Sequence, residues 1–122
     1  MAATLAPPPV FAHESEREIA ALLDFYHVAW EYEPRSFPLE WDEGGRPTRF
    51  FTPDFYLPEY DLYLEVTTLR PALTHRKNRK IRRFRELYPQ MQIKLLALRD
   101  LEALMAKYHG RAPISENGPA GG

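Results

Sequence analysis

Residues 49–67 read RFFTPDFYLPEYDLYLEVT, and the fold turns on how this stretch divides. Its first part, RFFTPDFYL (49–57), is dense in aromatic residues, which favour a strand. Pro53 has no amide hydrogen for a ladder, so it marks a strand edge or an irregularity there. Pro58-Glu59 reads as a turn. The second part, YDLYLEVTT (60–68), alternates: Leu62, Leu64 and Val66 face one side, and Tyr63, Glu65 and Thr67 face the other. Neighbouring strands of a meander usually pair, which brings Asp54 and Glu65 onto adjacent strands.

Working outward, Ser15 with Glu18 three positions later offers a capping box, and Ile19, Leu22, Leu23, Tyr26 and Trp30 recur at helical spacing. This predicts a helix over about 15–28. WEYEPRSFPL suggests a first strand over 29–37, and WDEGGRPT, with Gly44-Gly45, a hairpin connection. Downstream, Thr74 opens a second helix to about Tyr88, with Ile81, Phe84, Leu87 and Tyr88 as its apolar stripe and Pro89 as its stop. QIKLLAL (92–98) is a short apolar strand. Asp100 caps a last helix that Gly110 ends. The predicted order is αβββαβα, an α/β fold with a mixed sheet flanked by helices.

A chain of 122 residues, 44% hydrophobic and 27% charged, has the length and balance of one globular domain. The domain is expected over 13–110. The Ala/Pro-rich segment 1–12 and the Gly/Pro/Ser-rich segment 111–122 are expected to be mobile tails. Zero cysteines exclude a disulfide framework, a thiolate zinc site and a Cys nucleophile. The start, MAATLAPPPVFAHESE, is a poor secretory signal, and no apolar run approaches the ~20 residues of a membrane span. These features lead to the expectation of a cytoplasmic protein with no membrane partner.

The net charge of −1 hides an asymmetry. Residues 14–65 carry thirteen acids and four bases, whereas 66–122 carry twelve bases and four acids. Half of all bases fall between 70 and 85, with no acid among them. That density suggests a polyanion partner. A solvated helix face pairing with the acidic half of the same fold accounts for the same count.

Two carboxylates on adjacent strands repel and resist burial, so Asp54 and Glu65 need compensation. A divalent cation is one source, since Mg²⁺ takes one or two carboxylates plus waters and phosphate oxygens. Pairing of each acid with an arginine is the other. At about 100° per residue, Lys77 falls between Ile81, Phe84 and Tyr88 on the buried stripe, and Lys80 at its margin. A lysine there either meets a carboxylate or snorkels its ammonium to water. His13, His27, His75 and His109 lack metal-ligand spacing, with His75 a minor candidate near the site. Ser15, Ser36 and Ser115 lack a nucleophile elbow, and Gly44-Gly45 opens no helix as a phosphate loop does.

TPDFYLP followed by YLEVT resembles the PD-(D/E)xK nuclease superfamily, which includes many restriction enzymes and archaeal Holliday-junction resolvases. The match is Pro53-Asp54 and Glu65-Val66, within an element order similar to the family's αβββαβ core. Thr67 stands where the family usually has its lysine. Several members draw that lysine from the following helix, which makes Lys77 the candidate, with Lys80 its competitor. ESER resembles the helix-one Glu-Arg of resolvase-like relatives, whose glutamate assists metal binding. That points to Glu16, while Glu14 and Glu18 compete, and favourable charge at a helix N-terminus accounts for all three.

The resemblance implies a Mg²⁺- or Mn²⁺-dependent endonuclease hydrolysing DNA. Asp54, Glu65 and the Val66 carbonyl would hold the metal, with Glu16 directly or through water, and Lys77 would complete the catalytic set. Arg76, Arg79, Lys80, Arg82 and Arg83 would hold DNA phosphates, predicting steeply salt-dependent binding. A chain this small would need a homodimer or a larger assembly to cut both strands. A catalytically inactive nucleic-acid-binding module and a protein-interaction domain using its basic helix are the alternatives.

Overall fold

The computed structural model describes residues 9–68 and 70–109. The C-terminal tail, Gly110 and residues 1–8 of the N-terminal tail lie outside the described residues. The element order is α1 (Glu14–Phe25), β1 (Glu31–Tyr32), β2 (Phe37–Trp41), β3 (Pro47–Phe51), β4 (Phe55–Leu57), β5 (Leu62–Val66), α2 (Pro71–Leu87), β6 (Gln92–Leu96) and α3 (Leu98–His109). Strands β1, β4, β5 and β6 form one four-stranded sheet in that order, and β2 with β3 forms a separate hairpin. β1–β4 and β4–β5 are antiparallel, while β5 and β6 run parallel across the α2 connection. This is a mixed α/β fold whose mixed sheet is flanked by helices.

Two expected strands each break in two, for local reasons. The strand expected over 29–37 ends at Tyr32 because Glu33 turns with a φ of 46° and donates its amide to the Asp54 carbonyl at 2.8 Å. The strand expected over 49–57 breaks at Thr52-Pro53-Asp54. Phe51 pairs with Phe37 in the hairpin, and Phe55 pairs with Leu64 in the main sheet. A proline at the bend costs no ladder bond, and Pro53 is itself fully buried. The expected β-meander is therefore a hairpin and a sheet joined by a corner.

Helix ends also differ from expectation. The N-cap of α1 is His13, so the Ser15–Glu18 capping box does not form. Instead Glu16 accepts the Ala12 amide at 3.1 Å. The helix stops at Phe25 rather than 28, and His27 follows with a φ of 59°. α2 begins at Pro71, three residues before Thr74, because proline is well suited to the first turn. At α3, Asp100 lies in the first turn and accepts the Ala97 amide at 2.9 Å, so it caps by reaching back.

The sheet is covered on both faces. α1 and α3 pack Ile19, Leu23, Leu101 and Met105 against Phe55, Leu57, Leu64 and Val66. On the other face α2 and the hairpin bring Ile81, Phe84, Phe37 and Phe51 onto Tyr63 and Ile93. The expected alternation of β5 holds, and both its faces meet core. Phe11, in the segment expected to be a mobile tail, packs edge-on to Tyr32 at 4.9 Å, so the folded part begins before residue 13. No helix among the described residues is long and apolar enough to cross a membrane.

Candidate active site

Antiparallel pairing of Phe55 with Leu64 places Asp54 and Glu65 one step further along, at the end of the β4–β5 ladder. There each carboxylate takes a backbone amide of the opposite strand. Glu65 Oε1 accepts the Asp54 amide at 3.1 Å, and Asp54 Oδ2 accepts the Val66 amide at 2.8 Å. With the Glu33 amide on its carbonyl, Asp54 is held at three points. Both side chains are buried, each at 6% exposure.

Burial dominates the electrostatics of the pair. Desolvation raises Asp54 to about 6, against the amide of Val66, and the charge of Glu16 pushes the same way. Glu65 rises to about 8, first by desolvation and then by repulsion from Asp54, with Lys77 opposing both. Burial and mutual repulsion thus hold the protons of this pair more tightly than ordinary carboxylates hold theirs.

Lys77 supplies the nearest positive charge. From the sheet-facing side of α2 its ammonium donates to the Val66 carbonyl and lies 3.5 Å from Glu65 Oε2. Its side chain keeps 28% exposure, so it spans from the buried pair to the solvent edge. Lys80 instead lines the groove between α2 and the hairpin, away from the carboxylate pair that Lys77 meets. Thr67 is buried, and its hydroxyl lies 3.1 Å from that of Thr74, tying the end of β5 to α2.

Glu16 is the buried one of the three candidate glutamates of helix one. Glu14 pairs with Arg17 at the surface and Glu18 is exposed. Glu16 Oε1 accepts the Tyr32 hydroxyl at 2.6 Å and the Ala12 amide at 3.1 Å. The Tyr32 hydroxyl is driven up from its ordinary range by burial and by that bond. Neither Tyr32 nor the Thr67–Thr74 link was legible as part of a site. Glu16, Val66, Thr67, Arg70, Leu73 and Lys77 share a cleft of ≈ 500 Å³.

The structure thus brings Asp54, Glu65, Val66 and Lys77 into direct contact and sets Glu16 beside them. Among the described residues, no three or more Asp, Glu, His or Cys side chains converge as a metal-holding group. The oxygen donors of Asp54, Glu65 and Val66 have the hard character that Mg²⁺ requires. Two of them now face the Lys77 ammonium, so a cation fits this corner only as the ammonium gives way.

The basic residues of α2 divide between its flanks. Arg76, Arg79, Lys80 and Arg83 line a groove with Arg49 and Glu40 of the hairpin. Arg82 lies on the other flank with His75, Asn78, Arg85 and Glu86, which removes His75 from the carboxylate cleft. No protein family, curated protein or solved structure matches this chain.

Proposed function

We propose that this chain is a Mg²⁺-dependent endonuclease of the PD-(D/E)xK type, with a restriction-endonuclease-like core, acting on DNA phosphodiester bonds. The observation that carries this reading is the pair Asp54 and Glu65, buried side by side with the Lys77 ammonium 3.5 Å from Glu65. A buried acid pair costs stability, and such costs concentrate at functional sites. The order helix, hairpin strands, basic helix and parallel strand supports the same family.

In this reading Asp54, Glu65 and the Val66 carbonyl would hold the cation, with Glu16 directly or through water. When bound, the cation lowers the pKa of an attacking water and offsets charge building on the phosphate. Asp54 and Glu65, fixed by backbone amides, keep their oxygens in place without reorganisation. Lys77, freed from the Val66 carbonyl, turns into the cleft and stabilises the phosphate oxygens. Tyr32 fixes Glu16 at the cleft wall. The arginines of α2 hold the DNA backbone, and a homodimer or larger assembly supplies the second strand cut.

Thr67 favours a second reading. A threonine at the usual lysine position, with Lys77 seated on a ligand carbonyl, suits a nucleic-acid-binding module that has lost hydrolysis. A plasmid-nicking assay in Mg²⁺ against EDTA separates the two. Cleavage by wild type that a Glu65→Ala variant lacks supports the enzyme. Equal background from both discards it, and DNA retention by the inactive variant then keeps the binding module.

A further inference from the structure

Strand β6 ends the main sheet on one side, and no strand among the described residues pairs beyond it. In a parallel ladder, alternate residues direct both amide and carbonyl to the neighbouring strand, and the residues between direct theirs away. The Thr67 amide donates to the Leu96 carbonyl at 2.9 Å, so Gln92, Lys94 and Leu96 turn theirs toward β5. Ile93 and Leu95 therefore present theirs to the open edge. Arg85 of α2 donates to the Ile93 carbonyl at 2.8 Å, while the Ile93 amide and both groups of Leu95 have no partner among the described residues. The same bond sets one flank of α2 beside this edge. His75, Asn78, Arg82, Arg85 and Glu86 surround a hollow of ≈ 530 Å³ there, and a second of ≈ 370 Å³ joins Arg85 to Leu62, Pro89 and Met91. Lys94 is exposed on the strand itself. Glu86 is the one acid among the described residues lining these hollows, and it pairs with Arg83 at 3.5 Å.

We propose that the open edge of β6 takes an extended acidic segment of a partner protein as an added strand, its acids at alternate positions reaching Arg82 and Arg85. Binding of this kind is separate from hydrolysis and needs neither the carboxylate pair nor Lys77. An open strand edge is a template for another polypeptide backbone, which brings donors and acceptors at matching intervals. A DNA phosphate backbone offers oxygens to the amides and no donor for the Leu95 carbonyl. A second copy paired edge to edge would set Arg85 and Lys94 against bases of its own kind, and like charges across a strand pair destabilise it. Side chains of an added strand alternate between the two faces of the sheet. Those on the α2 face meet the basic flank, and those on the other face meet Lys94 and the partly buried Leu96. Acids alternating with aliphatic residues therefore fit both faces.

The test is fluorescence anisotropy of a labelled peptide in which Glu and Val alternate, titrated with the full chain in EDTA. The peptide should bind, and more weakly as salt is added. Two N-methylated forms of it need no variant of the protein. Methylating the Glu amides blocks an antiparallel addition, and methylating the Val amides blocks a parallel one. One form should therefore lose about tenfold or more in affinity, while the other stays within about twofold of the parent. Arg85→Glu should weaken the parent peptide about tenfold, whereas Arg46→Glu, the same charge change at the exposed hairpin turn, should stay within about twofold. Absence of binding would overturn the proposal, as would equal affinity of the two methylated forms or equal losses from Arg85→Glu and Arg46→Glu. Displacement of the peptide by oligo(dT) as readily as by unlabelled peptide would give this flank to nucleic acid and overturn it too. Sedimentation velocity covers the remaining occupant: a dimer that Leu95→Pro, which deletes an outward amide, returns to monomer would give the edge to a second copy and overturn the proposal.

Discussion

The ammonium of Lys77 lies 3.5 Å from Oε2 of Glu65 while donating to the carbonyl of the next residue, Val66. One cation therefore already bridges two oxygen donors of the carboxylate corner. In the proposed reading a divalent ion and this ammonium would compete for the same oxygens, since like charges exclude each other at such range.

Lys77→Met separates the two roles of that lysine. Removing the ammonium leaves the oxygens open, so Mn²⁺ affinity by calorimetry should rise several-fold. Nicking should fall by ~10²–10³, the loss typical of one stabilising donor in a transition state. Unchanged turnover would clear Lys77 of a part in the chemistry, and unchanged Mn²⁺ affinity would show that the ammonium does not guard the corner.

The pair also sets a pH dependence with an uncommon sign. Unfolded carboxylates titrate near ~4, whereas folded Asp54 and Glu65 titrate at about 6 and about 8. Between those limits the folded state binds more protons than the unfolded state, so stability falls as pH rises and levels off above the upper value. Glu65→Gln keeps an oxygen for the Asp54 amide and removes the charge. Its stability relative to wild type, from urea titrations in EDTA, should therefore grow from pH 5 to pH 9. A difference independent of pH would mean that Glu65 is not held protonated.

Asp54→Asn tests whether the second acid is structural or chemical. The asparagine oxygen can still accept the Val66 amide, so the thermal transition should move little. Cation affinity should drop by more than the ~10–100-fold seen when an outer partner of a metal ligand is lost. Asp54→Ala leaves the Val66 amide buried without its acceptor and should cost about 1–3 kcal/mol. Loss of the folded state in Asp54→Asn would reassign the residue to the fold.

Most of the site was legible because it rests on short-range rules. Alternation in β5 and the turn at Pro58 place Glu65 beside Asp54, and a 100° wheel turns Lys77 toward them. The two-sheet architecture was not legible, since it depends on Glu33 closing onto the Asp54 carbonyl across 21 positions of chain. Helix-cap chemistry misled at Ser15, where Glu16 satisfies the amide of Ala12 from inside the helix. The division of α2 into two basic flanks was also hidden, because the position of the β2–β3 hairpin comes from tertiary bonds to Leu39 and Pro38.

Tyr32 was missed for the same reason, and it yields a prediction that distinguishes positioning from mere packing. Its hydroxyl donates to Glu16 at 2.6 Å and accepts the Ala12 amide at 3.1 Å. Tyr32→Phe keeps the ring against Phe11 and Phe55 and deletes only those bonds. A hydrogen bond to a charged group is worth about 1.5–3 kcal/mol, and urea unfolding should show a loss in that range. If Glu16 serves the cation through water, Tyr32→Phe should also raise the Mg²⁺ concentration needed for half-maximal nicking, while nicking at saturating Mg²⁺ stays near wild type. Glu16→Gln, which keeps an acceptor for both donors and removes the charge, should stay closer to wild-type stability than Tyr32→Phe and still demand more Mg²⁺. A stability loss with no change in Mg²⁺ requirement for either variant would confine Glu16 and Tyr32 to holding α1 against the sheet.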